Sequence, residues 1–268
     1  AAYMSGLANS DWTWTIRLSD FDNDGLVDVF ITNGMAVNLN VADNPIASRK
    51  ALPGETEWAK HVRAGTGPLK EQNLAFRNLG DLAFKDVSKP WGLNHVGMSY
   101  AATAADLDRD GDLELIVTNL DEPISIYQNN TQQSNRILVK LRGTQSNSDG
   151  IGATLRVHTG KGEQVRFLTL SRGYMASGES LVHFGLGDEQ EIKSLSVLWP
   201  SGHRQVFDNL QANRQFTITE PGKESPGLPS GTARPQSMFE PMPVSLSQVE
   251  HREEAFDDFA LQPLLPQK

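Results

Sequence analysis

One acidic pattern occurs twice in this chain with identical internal spacing. The first copy is Asp20, Asp22, Asp24, Gly25 and Asp28; the second is Asp106, Asp108, Asp110, Gly111 and Glu114. Each reads D-x-D-x-D-G-x-x-(D/E) and runs straight into an apolar, β-branched stretch. Oxygen ligands at alternate positions, with a glycine where the chain must turn sharply, are what a hard cation such as calcium requires. Three or four carboxylates within nine residues repel one another unless a divalent ion neutralises them. The pattern therefore predicts two calcium sites of structural purpose. A solvated acidic turn without an ion is the alternative, and the duplication of glycine and ninth-position acid together argues against it.

The helix–loop–helix calcium hand opens with the same residues but needs a bidentate Glu at the twelfth position and a helix on each side. Here the twelfth positions are Ile31 and Val117. The flanks read as strands. Trp12, Trp14, Ile16 and Leu18 alternate with Thr13, Thr15 and Arg17, the period-2 pattern of a half-buried strand with its apolar side inward. Residues 27–33 (VDVFITN) and 113–119 (LELIVTN) are rich in β-formers. The expectation is strand, cation loop, strand, twice over.

The two loops begin 86 residues apart, and an irregular insertion over 35–72, with a short helix at 55–64, fills much of that distance. Without it the repeat approaches one four-stranded propeller blade. Residues 76–93 offer a strand, a turn at Asn78–Gly80, a short strand and a break at Pro90. Residues 98–130 then run strand, loop, strand, turn, strand. The phrases DFDNDGLVDVF, FRNLGDLAFKDVS and DLDRDGDLELIVTN resemble FG-GAP/VCBS repeats, the blades of integrin-α-type β-propellers. That resemblance implies calcium held by Asp20, Asp22, Asp24, the Leu26 carbonyl and Asp28 in the first loop. In the second it implies Asp106, Asp108, Asp110, the Asp112 carbonyl and Glu114, where Glu replaces the commoner Asp.

Residues 135–220 change character to seven short strand candidates at regular spacing, the signature of a small β-sandwich or barrel. The peptides LVKLRG, GIGATLRV, HFGLG and VLWPSG resemble the ASPIC/UnbV domain that follows VCBS repeats in cartilage-acidic-protein-like (CRTAC-type) proteins. The predicted organisation is about two propeller blades over 1–132, a β domain over 133–220, a Pro/Gly/Ser-rich linker over 221–250 that cannot bury a core, and a possible lead-in to a further domain, or a strand docking back, over 251–268.

The rest of the composition narrows function. Twenty-four Lys and Arg against 33 Asp and Glu leave a net charge of −9, which disfavours a nucleic-acid surface. Cysteine is absent, so disulfides, thiol catalysis and Cys-zinc sites are excluded. No run approaches the ~18 apolar residues of a membrane span. The start AAYMSG reads as that of a fragment without signal peptide. Calcium loops of weak extracellular grade, roughly 10⁻⁴–10⁻³ M, fill outside the cytosol, which favours an extracellular, cell-surface or periplasmic protein.

No catalytic constellation emerges. The six histidines form no H-E-x-x-H, and His183 reads as a satisfied core or edge residue. No G-x-S-x-G elbow or dinucleotide fingerprint is present. Carboxylates already neutralised by calcium make poor glycosidase pairs. Trp12 and Trp14 read as core between blades, and Trp58 as a packed residue of the insertion. Arg136, Lys140, Arg142, Arg156 and Arg172 read as a solvated charged face. The expected function is non-enzymatic adhesion or binding of a protein or carbohydrate ligand. The alternatives are the non-catalytic portion of an exported enzyme acting on polysaccharides or glycoconjugates, and a purely architectural spacer.

Overall fold

The computed structural model describes residues 3–38, 52–56, 59–60, 67–131 and 134–222. The chain divides into two units, Ala1–Asn38 with Pro68–Leu228, and Leu39–Gly67 with Pro229–Lys268. In the second unit the described residues hold a turn, with Glu55 N–H donating to the Leu52 carbonyl. Ala59 and Lys60 are helical, with Lys60 N–H donating to the Thr56 carbonyl. The remainder of the expected 55–64 helix, Trp58, the lead-in segment and all but the first two residues of the expected linker lie outside the described residues.

The first unit is all-β. Strands β1 (Thr13–Ser19), β2 (Asp28–Asn33), β4 (Leu74–Asn78) and β5 (Phe84–Asp86) form one antiparallel sheet in the order β1-β2-β4-β5. Strands β7 (Ser99–Ala105), β8 (Glu114–Asn119) and β9 (Ser125–Tyr127) form a second sheet in that order. A two-stranded ribbon pairs β3 (Glu71–Gln72), which precedes β4, with β6 (Val96–Gly97), which precedes β7. Phe21, Phe30, Ala75, Leu113, Leu115 and Val117 belong to one buried cluster shared by the two larger sheets. Ile31 and Val117, which rule out the helix–loop–helix hand, are both buried in strands.

The duplication extends well beyond the acidic residues. Thr15 N–H donates to Thr32 Oγ1 at 2.9 Å, and 86 residues on Ala101 N–H donates to Thr118 Oγ1 at 3.0 Å. The register slips between Thr13 and Ile16 in β1 and between Ser99 and Ala102 in β7. After β2 the offset drops, so that Asn78 at the end of β4 corresponds to Asn129 just after β9. The chain between these equivalents is longer in the first copy than in the second.

The face of β1 is the reverse of the expectation. Ile16 and Leu18 are 54% and 51% exposed, whereas Thr15, Arg17 and Ser19 are buried. The inward side chains are polar because polar groups meet them there. Thr15 Oγ1 accepts from Tyr174 N–H at 3.1 Å, and Arg17 Nη2 donates to the Ala104 carbonyl at 3.4 Å. Trp14 is half-buried rather than core. Its ring lies 4.6 Å from that of Tyr100 and 4.8 Å from that of Tyr174, and its Nε1–H donates to the Gly34 carbonyl.

All seven strand candidates of the second half form. They are β10 (Asn135–Arg142), β11 (Thr154–His158), β12 (Glu163–Phe167), β13 (Leu181–Gly187), β14 (Glu191–Leu198), β15 (Arg204–Gln211) and β16 (Arg214–Thr219). They make two sheets, β13-β10-β16 and β12-β11-β14-β15. Val139, Leu141, Leu155, Phe184, Leu195 and Trp199 are among the residues of the core they share. Strands β10 and β16 pair parallel over six register positions, from Ile137 with Arg214 to Arg142 with Thr219. Immediately after β16, the buried Glu220 receives the backbone N–H groups of Thr144, Gln145 and Ser146 and the Ser201 hydroxyl at 2.5–2.8 Å. Burial alone would raise its pKa; these donors override that and hold it at about 2.

Candidate metal centres

Each acidic loop joins the end of one strand to the start of the next. The loop 20–27 connects β1 to β2, and 106–113 connects β7 to β8. The sharp turn places Asn23 and Gly25 at φ 58° and 97°, and Arg109 and Gly111 at φ 63° and 96°. These left-handed positions explain the glycine in each copy.

The turn brings Asp20, Asp22 and Asp28 together, with one oxygen from each lying within 4.8 Å of the others. Asp106, Asp108 and Glu114 make the same group in the second loop. The ninth-position acid is anchored alike in both. Asp28 Oδ2 accepts from Phe21 N–H at 2.9 Å and its Oδ1 from Asn78 N–H at 2.8 Å. Glu114 Oε2 accepts from Leu107 N–H at 2.8 Å and its Oε1 from Asn129 N–H at 3.3 Å. The longer Glu thus reaches the same two backbone donors as Asp.

The electrostatics suit a bound positive charge. Burial first, then the charges of Asp28 and Asp24, raise Asp20 to about 8 against the opposing Gly25 N–H. Burial raises Asp28 to about 7 despite the N–H groups of Asn78 and Phe21. Burial likewise raises Asp22, Asp106 and Glu114, with neighbouring carboxylates adding to it. Asp22 Oδ1 and Asp106 Oδ1 are buried without any hydrogen-bond partner. An orphaned carboxylate oxygen in each triad is what an oxygen-seeking cation would satisfy.

Other expected ligands stand just outside these triads. Asp24 Oδ1 accepts from Leu26 N–H at 2.8 Å, and Asp110 Oδ1 from Asp112 N–H at 2.9 Å, so both brace the turn. The Asp112 side chain is buried and tied to Asn23 Nδ2 at 2.8 Å and Arg136 Nε at 3.1 Å. It links the second loop to the first and to β10, a role the sequence did not disclose. Arg77 was also missed. Its Nε lies 2.5 Å from Asp22 Oδ2 and its Nη2 3.1 Å from Asp24 Oδ2. In the second copy Gln128 stands one residue before the anchoring asparagine, as Arg77 does in the first, and donates to Asp108 Oδ2 at 3.3 Å. His183 is satisfied only in part: its ring is hydrogen-bonded to the Gly111 backbone, while its Nε2 is buried without a partner.

Among the described residues no helix is long and apolar enough to cross a membrane. Residues 143–225 match the family ASPIC and UnbV. Over 237 residues the chain is 25% identical to cartilage acidic protein 1 of Homo sapiens, covering 76% of this chain and 35% of that protein. The Xenopus tropicalis protein of that name is 29% identical over 222 residues, covering 77% and 30%, and the Mus musculus protein 27% identical over 237, covering 76% and 36%. The chain spans about a third of the length of these curated relatives. It thus carries an ASPIC/UnbV domain and is similar, over three quarters of its own length, to cartilage acidic protein 1.

Proposed function

We propose that this chain is a calcium-stabilised, non-enzymatic part of an extracellular binding protein, with two FG-GAP/VCBS-type propeller blades followed by the ASPIC/UnbV domain. The observation that carries this reading is the pair of carboxylate triads, each with a buried oxygen that no protein donor satisfies. Calcium would be held by Asp20, Asp22 and Asp28, with Asp24 and the Leu26 carbonyl adjoining. The second ion would be held by Asp106, Asp108 and Glu114, with Asp110 and the Asp112 carbonyl adjoining. Bound calcium supplies two positive charges and oxygen coordination, joining the end of one strand to the start of the next. The chain's own part is to hold the ninth-position acid on two backbone N–H groups, so that the site is preformed. Weak loops of this kind fill at extracellular calcium levels. The relatives are named for cartilage and for acidity, and this chain carries a net charge of −9. Adhesion or ligand binding would then fall to exposed loops on a scaffold made rigid by the ions.

The test is thermal melting of the chain in EDTA and across a calcium titration, beside the double variant Asp22→Ala/Asp108→Ala. Calcium at ~100 times its dissociation constant adds about 2.7 kcal/mol per site that exists only in the folded state. The expected outcome is a large upward shift that the double variant loses. An unchanged melting temperature would reduce both loops to bare acidic turns and remove the case for an extracellular calcium-dependent role.

A further inference from the structure

A cavity of about 340 Å³ lies between β1 and β7 on one side and β12, β13 and the 169–181 segment on the other. Arg17, Arg166 and Arg172 all line it. Arg17 is only 6% exposed, and its Nη1 is buried with no partner. Its remaining bonds go to neutral oxygens, Ser19 Oγ at 3.2 Å and the Ala104 carbonyl at 3.4 Å. Arg172 bonds to the carbonyls of Thr169 and Phe167 at 3.2 and 2.9 Å. Arg166 bonds to the Val165 carbonyl and to Gln164 Oε1, and its guanidinium stands 5.3 Å from the Phe184 ring centre. Among the described residues none of the three forms an ion pair. The orphaned His183 Nε2 lies on the same wall.

Two carboxylates border the cavity. Asp20 accepts from the N–H groups of Asp24 and Gly25, and Glu179 is exposed. Burial lowers Arg17 to about 10, with repulsion from Arg172 adding to it. Burial also lowers Arg166, again with Arg172 adding and Asp20 opposing. Buried charge without a paired counter-ion is strongly destabilising, so a bound anion would stabilise this arrangement. Guanidinium groups fit planar or tetrahedral oxyanions through paired N–H bonds. The cavity is within the size range of small-molecule sites. Its rim carries exposed apolar side chains, Leu18, Val165 and Phe167.

We propose that this cavity binds an organic oxyanion, its carboxylate or sulfonate group held among Arg17, Arg166 and Arg172 and its apolar body lying against Leu18, Val165 and Phe167. The expected solvated role of Arg172 is thereby replaced by one in a binding site. The test is calorimetric titration of the whole 268-residue chain, stripped of calcium on a chelating resin and held in a buffer without carboxylate, sulfonate or phosphate, so that the outcome does not depend on calcium. The probes are benzoate, benzenesulfonate and, as neutral control, benzyl alcohol. At least one anion is expected to bind saturably, and the better of the two identifies the group the site prefers. Arg17→Met and Arg172→Met should each weaken that binding about tenfold or more, the loss of one charge-assisted bond, while raising the melting temperature of the ligand-free chain. Arg172, half-exposed, keeps the test available should the Arg17 variant fold poorly. Absence of saturable binding, equal binding of benzyl alcohol, or undiminished binding by a folded arginine variant would each overturn the proposal.

Discussion

Each acidic loop meets an arginine from elsewhere in the chain, Arg136 at Asp112 of the second and Arg77 at the carboxylates of the first. The Arg77 guanidinium sits against Asp22 and Asp24, where the second copy has the neutral Gln128 against Asp108. A fixed positive charge at the first triad partly neutralises the carboxylates that a divalent ion would use, and it repels the ion directly. Replacing Arg77 by Gln should tighten the first loop by about threefold to tenfold, a modest effect because the side chain is two-fifths exposed and water screens it. Calorimetry in an Asp108→Ala background isolates that loop. Unchanged or weaker affinity in the Arg77→Gln chain would mean that Arg77 supports the site rather than competing for it.

At the scale of the strand–loop–strand element, the raised carboxylates set a pH dependence of definite sign. In the ion-free fold Asp20 and Asp28 keep protons up to about 8 and about 7, while an unfolded aspartate releases its proton near 3.8. Between those values the unfolded chain binds fewer protons, so these two groups make the ion-free fold less stable as pH rises through that window. Calcium requires both to be ionised, so its binding near neutral pH should release protons and remove this downward slope. Melting from about pH 5 to about pH 8 in EDTA and in calcium measures the slope, and calorimetry in two buffers of different ionisation enthalpy counts the protons. An ion-free melting temperature that climbs over this range would contradict the assignment.

These elements were legible because each carries its own local signal. The turn glycines, the ninth-position acid and the β-branched run lie within a dozen residues, and the seven strands of the second half each show their own periodicity. The face of β1 was not legible. Alternation gives the period of a strand, but which side is buried depends on distant partners such as Tyr174 N–H and the Ala104 carbonyl. The same holds for Arg77, some fifty residues from the carboxylates it meets, and for the Asn23–Asp112 link between the loops. Arg17, Arg166 and Arg172 belong to different segments, and only the folded chain brings them to one cavity.

For the molecule as a whole, the parallel pairing of β10 with β16 has a mechanical consequence. The first and last strands of the β domain lie side by side and point the same way. Tension applied through Asn135 and Thr219 would slide one strand along the other, loading all six register positions at once. Tension through Asn135 and Gly187, which face each other at one end of the antiparallel β10–β13 pair, would open that pair one rung at a time. Single-molecule pulling should therefore record a higher rupture force for the first attachment than for the second, and equal forces would show that the strand pair does not carry the load. Glu220, clamped on the 144–146 turn just beyond β16, adds a fastening at the very end that is pulled. Pulled by its two ends, the domain would meet the force along six parallel register positions together with the Glu220 clamp, as a lap joint does.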